Sequence, residues 1–313
     1  MRIFPPVCVI GGVHIDVTGR SFDKPRPAVS NPGRVARIPG GAGVNTAGTL
    51  ARLGVEVAVA GPVGSDAEGE MLRAALEARN IGDGLAELPD HATGTYTAIV
   101  GPDGDLFVGL ADLAIQEAVD AEWLLANCAL ALAPARCWLL TANLSQQTIA
   151  GLCERADGRF LAAAATSPAK APRLRPVLPR IALLFCNLRE ARALAGNEVA
   201  AGEELARMLR AAGAASGLIS NGERELVGWD DSGLFAIRPP PVAAIADVHG
   251  AGDALTAGTL ASLIRGMALA DAARIGIAAA QLTLAVNEPW RADLTFEMAA
   301  ARAEAIAPAR PIE

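Results

Sequence analysis

Short apolar runs that stop at glycine or a polar residue, alternating with stretches of helical spacing, set the rhythm of this chain. Val7–Ile10 ends in Gly11-Gly12 and reads as a buried strand that stops at an open edge. Met1–Ile10 has one Arg and is broken by Pro5 and Pro6, so it reads as part of a first strand and not as a signal peptide. Val55–Ala60 alternates as a strand, and Ser65-Asp66-Ala67-Glu68 reads as a capping box that launches a helix to Ala78. Trp138–Ala142, Phe160–Ala165, Ile181–Cys186 and Leu218–Ser220 repeat the strand pattern, and Glu225–Trp229 with Leu234–Ile237 reads as a hairpin. Regular alternation of strand and helix favours a parallel sheet in a three-layer α/β/α arrangement, with a crevice along the carboxyl ends of its strands.

Two stretches break the rhythm. Ser21–Pro39 is rich in Pro, Ser and Arg and has no helical period, so it reads as strands or loops outside the main sheet. Thr93–Val108 reads as a hairpin that turns at Gly101-Pro102-Asp103-Gly104, and Ala111-Asp112 closes it, with Asp112 returning toward the site. The expectation is one domain over residues 1–313 with a small β-sheet lid built from segments about 14–38 and 93–112.

Composition narrows the partners. At 52% hydrophobic and 19% charged residues, the 313-residue chain has ample material for a core. A net charge of -7 and 4% aromatics argue against a nucleic-acid surface and for a small-molecule partner. Cys8, Cys128, Cys137, Cys153 and Cys186 are scattered without C-x-x-C pairs, which suits buried free thiols in a reducing cytoplasm. The most membrane-like window, Trp123–Ala142, is interrupted by Asn127, Pro134 and Arg136, so no membrane span is expected.

The candidate chemistry centres on Asp247-Val248-His249-Gly250-Ala251-Gly252-Asp253. Small residues that lead into a long apolar helix leave backbone N–H groups and the positive helix end facing outward beside one carboxylate. Two readings fit: a tight turn with Asp253 as a helix cap, or an anion cradle with a base attached. Asp16, just past the first strand, fits either a solvated turn or an acceptor for two sugar hydroxyls. Pro39-Gly40-Gly41-Ala42-Gly43-Val44-Asn45 opens a helix that stops at Gly54, with glycines that would admit a ligand to the backbone and Asn45 able to donate and accept. Asn187-Leu188-Arg189-Glu190 has the spacing of a capping box closed by Gly196. Glu190 can at the same time reach toward waters on a magnesium ion near nucleotide phosphates.

Absences remove other nucleotide and hydrolytic enzymes. G-x-x-x-x-G-K-[ST] does not occur, and Lys24 and Lys170, the two lysines, are not beside a glycine-rich loop. G-x-G-x-x-G does not follow the first strand, and neither H-E-x-x-H nor G-x-S-x-G is present.

Gly11-Gly12 with Asp16, the Gly40–Asn45 stretch, Asn187–Glu190 and Gly250–Asp253, in that order, resemble the ribokinase-like (PfkB-type) carbohydrate and nucleoside kinases over essentially the whole chain. The resemblance implies a Rossmann-like body with a β-sheet lid, ATP as donor, Mg²⁺ as cofactor, and a homodimer clasped through the lids. It implies Asp253 as general base, Gly250, Ala251 and Gly252 as anion hole, and Asp16, Gly41 and Asn45 as sugar contacts. Asn187 and Glu190 would organise metal and phosphates, Ser220 and Gly222 would bind nucleotide, and Asp247 would lie near a monovalent-cation (K⁺) site. Ser30-Asn31-Pro32-Gly33, Leu110-Ala111-Asp112, Thr141–Ser145 and Thr166–Lys170 resemble the subgroup that phosphorylates the ribose 5′-hydroxyl of pseudouridine, which adds Asn31 and Asp112 as substrate contacts. Alternatives are a kinase for another nucleoside or sugar, such as ribose, adenosine or inosine, and a non-catalytic nucleoside-binding regulator on the same fold. Two departures stand out: His249 where the family has Thr, and alanines at the end of Phe160–Ala165 where the subgroup has Asp.

Overall fold

Alternate side chains of the first strand, β1 (Val7–Ile10), enter two different cores. Val7 and Val9 pack with Val44, Leu50, Leu255 and Leu260, whereas Cys8 and Ile10 pack with Leu124, Ile149 and Leu152. A strand buried on both faces needs helices on both, and the three-layer arrangement follows from that. In the computed structural model, which describes residues 6–242, 244–286 and 291–313, the part of the expected first strand before Pro6 lies outside the described residues.

The strands β2 (His14–Ser21) and β3 (Gly33–Gly40) leave the main sheet, β4 (Val57–Val63) and β5 (Gly82–Glu87) rejoin it, and β6 (Thr95–Val100) and β7 (Leu106–Asp112) leave it again. From β8 (Cys137–Thr141) through β9 (Phe160–Ala164), β10 (Leu183–Asn187) and β11 (Gly217–Ser220) the strands run parallel. The antiparallel strands β12 (Leu226–Asp230), β13 (Gly233–Ile237) and β14 (Arg310–Ile312) finish one edge. The main sheet has the order β14-β13-β12-β11-β10-β9-β8-β1-β4-β5, and the small sheet the order β3-β2-β6-β7.

Register aligns the strand ends that matter. Ile10 pairs with Leu140, Thr141 with Ala164, and Asn187 with Ser220, so the residues after β1, β8, β9, β10 and β11 stand side by side along one edge. In the small sheet Asp16 pairs with Ile38 and Tyr96, and Tyr96 with Ala111, which puts these four residues on one face.

One local expectation changes, and one strand is not foreseen by the sequence pattern. Asp66, not Ser65, caps the helix Ala67–Glu77, accepting from Gly69 N, while Ser65 Oγ turns to Glu87. Asp66 is preferred because its carboxylate also takes the Thr93 N–H (2.7 Å) and hydroxyl (2.6 Å), welding the entry of β6 to the body. The strand β5 carries no alternating apolar signal; its Gly82-Asp83-Gly84 start is held by parallel pairing with β4. All five cysteines are free and buried, and burial pushes Cys137 up to about 12 and Cys153 up to about 11, so these thiols stay protonated. Among the described residues no helix is long and apolar enough to cross a membrane.

Candidate active site

Backbone packed on backbone builds the first wall of the cleft. At the start of the helix Ala42–Arg52, the N–H groups of Gly43 and Val44 donate to the Gly12 carbonyl at 3.0 and 3.4 Å. A Cβ at Gly41 or Gly43 would run into the carbonyls of Gly12 or Gly11, and Gly41 has φ 94°, open to glycine but strained for other residues. The contact between the two chain segments therefore requires the glycine run, in addition to any approach of a ligand to its backbone. Its consequence is position: the next turn delivers Asn45 and Thr46.

Asn45 Nδ2 donates to Asp253 Oδ2 at 3.1 Å across 208 residues of chain, and the Thr46 side chain adds a second hydrogen bond. The other amide atom, Asn45 Oδ1, is buried without a partner, a state that points to a missing ligand group. Asp253 keeps a partly open side, yet burial pushes its carboxyl up to about 7. The Asn45 bond opposes that shift, and the neighbouring Glu190 and Asp16 charges reinforce it. The fold thus brings Asp253, Asn45, Asp16 and Glu190, far apart in sequence, within electrostatic reach of one another.

Asp253 belongs to the first turn of the helix Ala251–Ile264. Gly250 precedes it in the left-handed conformation (φ 75°), and no side chain caps the helix. The first-turn N–H groups are left for an external acceptor. A Cβ at Gly252 would meet open space, so the cradle has a vacant face that any side chain there would fill. Gly258 then lets the helix lie against Gly276 of the helix Leu269–Thr283, which fixes the cradle to the core.

Asp16 stands on the same face of the small sheet as Tyr96, and His14 Nε2 bonds its Oδ1 at 3.1 Å. His14 was not singled out in the sequence; its buried Nδ1 has no partner. Asp112 pairs with Thr95, so strand alternation turns it to the face opposite Asp16. Asn31 lies in the exposed loop between β2 and β3, and its amide is engaged with Arg26 N, Arg26 O and Val29 O. These two are not brought to Asp253.

Along the strand ends, Asn187 and Glu190 form a complete capping box: Asn187 Oδ1 accepts from Glu190 N at 3.0 Å, and Glu190 Oε2 from Asn187 N at 2.9 Å. Burial pushes the Glu190 carboxyl up, against the opposing Asn187 bonds. Further groups gather where sequence gave only subgroup motifs. Asn143 Oδ1 after β8 and Thr166 Oγ1 after β9 are buried and unpartnered, and Thr166 has φ 61°, strained for a β-branched residue. Lys170 follows; burial and the nearby Arg173 lower its pKa, and its ammonium has no hydrogen bond or ion pair among the described residues. Arg173 holds the Ala142, Asn143 and Leu144 carbonyls and Glu117, which fixes this corner. The signal that could have revealed these groups, unpaired burial, does not exist before folding.

Beyond Asn187 and Ser220 opens a cavity of about 550 Å³, lined by Leu188, Ile219, Asn221, Arg224, Val227 and Arg238 among others. Its apolar walls suit a flat heterocycle, and the two guanidinium groups are accompanied by the carboxylates of Glu203 and Glu225. Ser220 and Gly222 flank lining residues, and Gly222 has φ 59° with open space where a Cβ would point. Among the described residues no three His, Cys, Asp or Glu side chains cluster as a metal cage. Mg²⁺ therefore fits here only in the manner of nucleotide enzymes, through phosphates, water and a single carboxylate such as Glu190.

Residues 5–289 match the pfkB family of carbohydrate kinases. The pseudouridine kinase of Escherichia coli (strain K12) is 28% identical over 300 residues, 95% of this chain and 96% of that protein. A carbohydrate kinase from Agrobacterium tumefaciens superposes with a TM-score of 0.87 at 34% identity, covering 99% of both chains. The Arabidopsis thaliana ribokinase complexed with ribose and ATP gives 0.85 at 18% identity over 96% of this chain and 99% of that one, a likeness of fold.

Proposed function

The chain belongs to the pfkB family of carbohydrate kinases, phosphotransferases with a hydroxyl acceptor, and on that footing we propose that it phosphorylates the ribose 5′-hydroxyl of pseudouridine with ATP. The carrying observation is Asp253: a carboxyl raised to about 7, bonded to Asn45 and set beside an uncapped helix start.

In this reading Asp16, Gly41 and Asn45 hold the ribose, with the Asp16 carboxylate accepting from its hydroxyls. Asp253 takes the proton of the 5′-hydroxyl as that oxygen attacks the γ-phosphorus; the bond to the β,γ-bridging oxygen breaks and ADP leaves with the electron pair. The N–H groups of Gly250, Ala251 and Gly252 stabilise charge on the transferring phosphoryl. Mg²⁺, reached by Glu190 through water, would neutralise the β- and γ-phosphates. Asn187, Ser220 and Gly222 border the cavity in which the nucleotide lies. Asn143 Oδ1 offers an acceptor to base N–H groups, while Lys170 and Thr166 offer donors to base carbonyls. A uracil ring attached through carbon, with two N–H groups, presents that pattern. The buried thiols suit a cytoplasmic location.

Selectivity tests the substrate. Comparing kcat/KM for pseudouridine, uridine, adenosine and ribose should give pseudouridine the highest value and a 5′-phosphate by NMR; equal or better use of ribose would discard the nucleoside reading while keeping the kinase. The pH profile is fixed in sign by Asp253. A base must be ionised, so kcat/KM should climb as pH rises through about 7 and level off above it. A profile flat between pH 5 and 9 would be incompatible with that role.

The lid also suits a second copy of the chain. On the face away from Asp16, Val35, Val108 and Leu110 are 63, 52 and 70% exposed, on the edge strands β3 and β7. Light scattering should report a dimer that Leu110→Arg converts to monomer; a monomeric parent protein would sink this expectation.

A further inference from the structure

The turn before the cradle is organised around Asp247. Its Oδ1 accepts from the backbone N–H of His249 at 2.9 Å and from the ring Nδ1 of the same residue at 2.6 Å, and the Val248 N–H contributes another bond. Partial burial pushes the Asp247 carboxyl up, but the His249 bonds outweigh it and hold the group below its ordinary value. The family resemblance implies a monovalent cation near this carboxylate. A cation held by oxygen ligands needs their lone pairs and uncompensated charge, and here one carboxylate oxygen already receives two donors from His249. The Thr that the family has at this position has no ring N–H to offer. A K⁺ ion anchored on Asp247 would therefore have to displace the His249 donors from Oδ1 or be held through Oδ2 alone.

We infer that His249 stands in for the monovalent cation: its ring N–H ties down the Asp247 carboxylate, so the turn leading into Gly250 is ordered without K⁺. The consequence for activity rests on the kinase reading, but the consequence for binding does not. His249 is 77% exposed, so its replacement leaves the core untouched.

The test compares melting temperature and affinity for a non-hydrolysable ATP analogue in K⁺ and in tetramethylammonium at equal ionic strength. The unaltered protein should give the same values in both. His249→Thr should bind the analogue roughly tenfold more weakly in tetramethylammonium, about the worth of one charge-assisted hydrogen bond, and recover in K⁺. His249→Asn, which keeps a side-chain N–H donor, should behave like the unaltered protein. A K⁺ requirement in the unaltered protein, or indifference of His249→Thr to K⁺, overturns the inference. Failure to phosphorylate any acceptor while these binding results hold would instead remove the kinase reading.

Discussion

Replacing Asp253→Asn should lower turnover by roughly 10²–10⁴-fold, the worth of a positioned general base. Asn keeps the shape and the contact to Asn45 but cannot accept the proton of the attacking hydroxyl. Retention of turnover within a few-fold would take Asp253 out of that role. The same variant should be more stable than the parent at high pH, and the sign follows from linkage. The Asp253 carboxyl titrates at about 7 in the folded chain and at about 4 when unfolded, so the folded state holds its proton more tightly. Its favourable contribution is complete below about pH 4 and is lost as pH rises through about 7. The melting temperature of Asp253→Asn should exceed that of the parent most above pH 7, and the gain should shrink as pH falls toward 4. An activity loss paired with a stability gain would mark a carboxylate held against its own solvation for the sake of function.

The second large effect separates two kinds of glycine. A side chain at Gly252 meets no protein atom but enters the vacant face of the cradle. Gly252→Val should therefore fold with an unchanged melting temperature and lose roughly 10²–10³-fold in turnover, as when a transition-state donor is blocked. Gly43→Ala should do the reverse in kind, since its Cβ would overlap the Gly11 carbonyl and loosen the packing that delivers Asn45. If Gly252→Val retained activity within a few-fold while folded, the phosphate would have to sit elsewhere.

Which parts were legible in the sequence follows from how local each signal is. The capping box of Asn187 and Glu190 and the left-handed Gly196 lie within ten residues and were readable directly. So was the strand-ending rhythm that predicts the crevice. Ser65 against Asp66 could not be resolved, because the deciding partner, Thr93, is 27 residues away. The face of Asp112 depends on pairing between β2, β6 and β7, including an irregularity at Ile99/Val100, and no spacing within one strand carries that. That the glycines at 41 and 43 are also packing residues shows only when Gly11 and Gly12 are brought against them. Asn143 and Thr166 come together near the half-buried Lys170 only when β8 and β9 pair, which leaves Asn143 Oδ1 and Thr166 Oγ1 buried without partners.

The central claim, that the cleft around Asp253 transfers a phosphoryl group to a bound hydroxyl, is tested most directly by ADP formation from Mg-ATP with and without pseudouridine, on one protein preparation whose nucleoside binding is measured in parallel. Acceptor-dependent ADP, stoichiometric with nucleoside monophosphate, is the expected result. Nucleoside binding with no acceptor-dependent ADP would contradict it and leave a binding protein on a kinase fold.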